Sequence, residues 1–142
     1  MKHEILIYNK TRRQVPEKLI KSVILKALQF LKIKQPVEMA VLIVDKEEIK
    51  RLNKIWRKVN KVPDELSFGS NSRQTGIFAN NNNTVLELGE IVLNAEKISD
   101  KNYLTKILIH SLLHLLGYSH GRMELLENKI IKICRGKTLS LD

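Results

Sequence analysis

The sequence predicts an α+β fold: one compact domain over residues 1–142, with a small mixed β-sheet, helices packed on it and a central helix. Three observations predict it. Short apolar runs of strand length alternate with stretches whose apolar residues recur every three or four positions. One stretch, residues 104–115, is apolar nearly all round, as a helix at the centre of a core must be. The 142 residues contain no repeat, no linker and no second domain, yet suffice to bury an ordinary core without disulfides.

Residues 3–8 (HEILIY) read as the first strand, with His3 ahead of it as a surface residue. Pro16 opens a helix, since a missing N–H costs nothing in the first turn. Ile20, Val23, Ile24, Ala27, Leu28 and Leu31 give that helix one apolar face, and Lys18, Lys21, Lys26 and Lys32 fall mostly off it. Residues 37–44 (VEMAVLIV) are a buried strand. Asp45 and Glu48 form a capping-box-like pair for a helix carrying Ile49, Leu52, Asn53 and Trp56, which ends before Pro63. Residues 69–85, rich in Gly, Ser and Asn, read as a loop around a short strand at 76–79. Residues 85–93 form another strand, where Gly89 marks a bulge or a close backbone approach. Ser99 or Asp100 caps the central helix. A final helix runs from about Met123 to Cys134, and the tail after Gly136 is expected to be loose. The order βαβα…ββαα places helices on a sheet.

The central helix carries the chemistry. His110, His114 and His120 stand in the pattern HxxxHxxGxxH. The first two are one helical turn apart on one face, and Gly117 offers the left-handed conformation that ends a helix and turns His120 back toward them. Three imidazoles with an open fourth position are the ligand set of a catalytic Zn²⁺ rather than a closed structural one; Ni²⁺ or another divalent transition metal also suits imidazole. The metzincin proteases share the spacing but place a glutamate base after the first histidine, where this chain has Ser111. A peptidase built here would lack its base.

Of 25 basic and 15 acidic residues, 16 and 6 fall in residues 1–62, and 9 and 9 in residues 63–142. The excess positive charge thus lies in the half without the histidine cluster, which suggests a surface for a polyanion, nucleic acid above all; the alternative is a set of solvated helix faces. The lone Cys134 forms no internal bridge and fits a reducing cytosol; three histidines already fill the protein's share of a catalytic site without it. No apolar run is long enough to span a bilayer, and the N-terminus MKHEILIYNK lacks a signal-peptide core. With seven aromatics in the chain, no stacking platform for single strands is evident: Trp56, Phe68 and Tyr118 read equally as core or contact.

Taken together, these residues resemble the YbeY-type endoribonucleases, or rRNA maturation factors, of bacteria. His110, Leu113, His114, Leu115, Gly117, Tyr118 and His120 match the signature H-G-x-L-H-L-x-G-Y-D-H. Asn53 and Arg57 fit an N-x-x-x-R helix, and residues 64–68 (DELSF) are similar to T-D-V-L-S-F with Asp64 as the secure match. Residues 88–93 (LGEIVL) resemble L-G-D-I-x-I, and Met123 and Glu127 fit M-x-x-x-E. The likeness spans roughly residues 37–131 in consistent order. Ser111 stands for the family's Gly, Ser119 for the Asp before the third histidine, and Pro63 for Thr. Ser119 supplies no charge, which leaves Asp64 as a carboxylate to take that part.

The resemblance implies a cytoplasmic, metal-dependent endoribonuclease that cuts single-stranded RNA in small-subunit rRNA maturation and ribosome quality control. It implies metal ligands His110, His114 and His120, with Arg57 facing the developing charge of a phosphorane and Asp64 and Ser67 assisting. Whether metal-bound water or the substrate's 2′-OH attacks stays open, as does oligomeric state. Two other readings remain: a non-catalytic rRNA-binding assembly factor with a structural metal, and a metal-dependent hydrolase of another substrate.

Overall fold

A computed structural model describes residues 2–70 and 85–136. The strand expected at 76–79 and the tail beyond residue 136 lie outside the described residues. In chain order the elements are β1 (Glu4–Asn9), α1 (Glu17–Phe30), β2 (Val37–Val44), α2 (Lys46–Arg57), β3 (Glu65–Gly69), β4 (Leu86–Asn94), a single 3₁₀ turn (Ala95–Lys97), α3 (Lys101–Leu115) and α4 (His120–Arg135). The sheet has the order β1-β2-β4-β3; β1 and β4 flank β2 in parallel, and β3 closes the edge antiparallel to β4.

Alternation along the strands assigns the two faces. Ile5, Val37, Met39, Val41, Ile43, Leu88, Ile91 and Leu93 turn to one side and join the main core with α1, α3 and α4. Leu108, Ile109 and Leu112 of α3 are fully buried there, so α3 is the central helix that its composition requires. On the opposite face, among the described residues, α2 covers the sheet through a small cluster of Val44, Ile49, Leu66 and Val92. Leu6 and Tyr8 of β1 point to that side and stay exposed. At Gly89 the register between β2 and β4 shifts by one residue. Gly89 has φ +111°, and a side chain there would overlap the Phe68 carbonyl of the neighbouring strand.

The ends of the elements show where local signals were overruled. Asp45 sits at the N-cap of α2 in extended conformation, but its side chain caps nothing. Glu48 instead accepts two hydrogen bonds from Arg51, at 2.9 and 2.8 Å, so the expected capping box does not form. That pairing holds the Glu48 carboxyl below its ordinary pKa. Pro16 is the N-cap of α1 rather than its first residue. At α3 the expected cap is present: the Asp100 carboxylate accepts from the backbone N–H of Asn102 and Tyr103. His3 is not a plain surface residue. Its Nδ1 accepts from the Val37 N–H at 2.9 Å, tying β1 to β2, and burial pushes its pKa down. β3, matched from sequence only through the family segment, is a strand of its own.

Candidate metal centre

The three histidines lie at the junction of α3 and α4, and its turn follows from sequence. Gly117 takes φ +88°. Its N–H donates to the His114 carbonyl at 3.0 Å and the Tyr118 N–H to the Leu113 carbonyl at 3.2 Å, the paired bonds of a Schellman motif. The next helix starts sooner than expected: α4 begins at His120, with Ser119 as its N-cap. His120 therefore stands in the first turn of α4, facing back toward the last turn of α3. The rings of His114 and His120 lie 6.2 Å apart, centroid to centroid.

His110 behaves differently. Its Nδ1 is 2.5 Å from Glu127 Oε2 on α4, and the Glu127 side chain is largely buried. In a neutral imidazole whose Nδ1–H donates to this carboxylate, Nε2 keeps the lone pair. A carboxylate behind a histidine in this way is the usual support of a metal ligand. Glu127 is seven residues beyond His120, two turns along the same helix face; in sequence it stood out only through the M-x-x-x-E match with Met123. Among the described residues, no three His, Cys, Asp or Glu side chains stand together as a finished ligand set. The donors nonetheless suit a divalent transition ion. Two imidazoles on one tetrahedral ion hold their ring centroids about 5 Å apart, close to the separation of His114 and His120. Cys134 is remote from this chemistry: it packs against the main core, and burial raises its thiol pKa.

Ser111 follows His110 but points into the core; it is fully buried, and its hydroxyl has no hydrogen-bond partner. The position that carries the protease base elsewhere is thus closed to solvent here.

Arg57, Ser67 and Asp64 form a second group. The Arg57 guanidinium donates to the Ser67 carbonyl at 2.9 Å and lies over the Phe68 ring, 5.8 Å from its centroid. Asn53, buried one turn earlier, donates to the Lys61 carbonyl at 3.1 Å and so holds the loop after α2. Asp64 accepts a hydrogen bond from the Tyr103 hydroxyl, raising the Tyr103 pKa, and faces Lys97 at 3.9 Å. Tyr103 carried no signal in sequence beyond its place in the first turn of α3.

This last contact links the two groups. The Asn94 N–H donates to the Asp64 carbonyl at 3.0 Å, so the end of β4 and the starts of β3 and α3 meet at one corner. From there β3 and α3 run back over the sheet side by side. Ser67 lies three residues along β3 and His110 seven residues along α3, each about 10 Å from the corner. Leu66 and Phe68 belong to the α2 face, so the Ser67 side chain lies on the α3 face. Asp64 stays behind at the corner, away from His120.

Comparison with known proteins agrees. The family model described as Endoribonuclease YbeY matches residues 6–135. The chain is 36% identical over 110 residues to an endoribonuclease YbeY of a Nitratiruptor species, covering 68% of each chain. It is 33% identical over 133 residues to one of a Thermoanaerobacter species, covering 82% of this chain and 80% of the relative. The solution structure of TM1509 from Thermotoga maritima shares the fold, with a TM-score of 0.58 over 96% of this chain and 92% of that one, at 23% identity. Histidine spacing, fold and overall likeness thus lead to one assignment: the chain belongs to the endoribonuclease YbeY family.

Proposed function

We propose that this chain is a metal-dependent endoribonuclease that cuts single-stranded RNA during small-subunit rRNA maturation and ribosome quality control, acting in the cytoplasm. The observation that carries the reading is the HxxxHxxGxxH run at the α3–α4 turn in a chain of this family. His110, His114 and His120 would hold one Zn²⁺, with Ni²⁺ as the alternative. When bound, such an ion polarises a phosphoryl oxygen and acidifies a coordinated water.

The chain's own residues do the rest. Arg57 keeps one N–H on the Ser67 carbonyl, which aims the remaining donors, and these stabilise the negative charge of the phosphorane. The Ser67 hydroxyl, on the α3 face near the level of His110, positions the substrate. Asp64 works through Tyr103 and Lys97, fixing the corner that sets Ser67 against His110. No helix among the described residues is long and apolar enough to cross a membrane.

The test is cleavage of a labelled single-stranded RNA by the Zn²⁺-loaded protein beside His114→Ala and Arg57→Ala. Cleavage that vanishes in His114→Ala and with chelator, and falls about a hundredfold or more in Arg57→Ala, supports the enzyme. Equal cleavage by wild type and His114→Ala rejects it. A second reading, an rRNA-binding assembly factor without catalysis, draws on the open spacing of the histidines and on Ser119 in place of an acid; binding without cleavage would favour it.

A further inference from the structure

On the α2 face of the sheet lies a cleft of about 830 Å³, lined by Trp56, Phe68, Val92, Lys10, Asp45 and Glu90 among others. The histidines are not part of it. Trp56 is 65% exposed although tryptophan gains more than any other side chain from burial. Ile49 fastens α2 to the sheet; Trp56 hangs past that contact, in the last turn of the helix, edge-on to Phe68 with centroids 6.4 Å apart. Arg57, which the proposed function places at the scissile phosphate, covers the same Phe68 ring. The cleft therefore adjoins the path of the substrate.

Its polar groups decide what enters. Asp45, whose carboxylate is free of helix capping, and Glu48 line one end of the cleft, and Glu90 lines the other, opposite Phe68; these carboxylates repel a phosphate, and Glu90 can accept hydrogen bonds from the amino or imino groups of a base. Backbone phosphates suit the rim instead. There Lys10 lines the cleft, and Arg57 covers the Phe68 ring at its other end. We propose that this cleft is a nucleobase site, in which one base of a single-stranded RNA stacks on Trp56 with its polar edge toward Glu90 and its flanking phosphates against Lys10 and Arg57. The proposal rests on the endoribonuclease reading in taking RNA as the ligand, and it adds a place where the strand is gripped by its bases.

Trp56 is the sole tryptophan of the chain, so its fluorescence reports the contact directly. The full chain is titrated with a six-nucleotide RNA, with chelator present to keep the RNA intact, and with an oligomer of equal phosphate number whose bases are replaced by abasic sites. The proposal expects quenching by the first and several-fold weaker binding of the second. Trp56→Ala, at an exposed position, lowers affinity for the normal oligomer about tenfold, while its circular dichroism matches wild type. Equal affinity for both oligomers, or a Trp56→Ala variant that binds as well as wild type, overturns it. Base-dependent quenching without cleavage upholds the cleft and removes the nuclease; cleavage without such quenching does the reverse.

Discussion

Nδ1 of His110 lies 2.5 Å from Glu127 Oε2, a contact that in the neutral imidazole leaves Nε2 as the nitrogen able to meet a metal. Replacing Glu127 by Gln keeps the shape but removes the charge and permits the other tautomer. Zn²⁺ affinity, measured against a competing chelator dye, should fall about ten- to a hundredfold; an unchanged affinity would mean that Glu127 serves packing alone. Part of this scale was legible in sequence, because spacing on a helix is geometry: four residues put His110 and His114 on one face, whereas Glu127 was singled out only by the M-x-x-x-E pattern it shares with Met123. Other residues were not. Trp56 and Phe68 could have been core or surface, and only the sheet face left open by the other helices decides it. His3 looked like a surface residue because its partner, the Val37 N–H, is 34 positions away in sequence.

Among the elements, the turn between α3 and α4 matters most, since it brings the His120 ring back to within 6.2 Å of the His114 ring. Gly117→Ala places a Cβ at φ +88° and should cost about 1–2 kcal/mol, read as a lower melting temperature of the metal-free chain. An unchanged melt would show that the turn tolerates a side chain and that glycine is not what orders it. Gly117 could be read from sequence because glycine advertises the left-handed conformation. The same conformation ends α1 at Lys32 (φ 55°) and follows α2 at Lys58 (φ 61°), and lysine gives no such notice. Capping was half legible for a similar reason. Asp100 has no competitor for its carboxylate, whereas one turn after Asp45 the Arg51 guanidinium takes Glu48 away from the backbone. α4 starts three residues before Met123 because the Schellman turn needs only Leu116 to Ser119 to reverse the chain.

For the whole molecule, the sheet separates two sets of side chains. Its α1–α3–α4 face is the core and carries the histidines; its α2 face is thinly covered and carries the aromatic cleft. The positive charge concentrated in residues 1–62 does not form one surface, as the sequence alone suggested, because α1 and α2 pack on opposite faces. A count along the chain cannot show this. The order of elements and the central place of α3 were readable from periodicity. The edge position of β3, which sets the Ser67 carbonyl against Arg57 and lays the strand beside α3, depends on pairing with a strand that comes later in the chain. The account turns on the claim that His110, His114 and His120 close around one ion. Zn²⁺ titration by calorimetry, on the full chain and on the three single histidine-to-alanine variants, tests it most directly. The account predicts one tight site per chain that each variant loses or weakens at least a hundredfold, roughly 3 kcal/mol. Undiminished one-to-one binding in all three variants would contradict it.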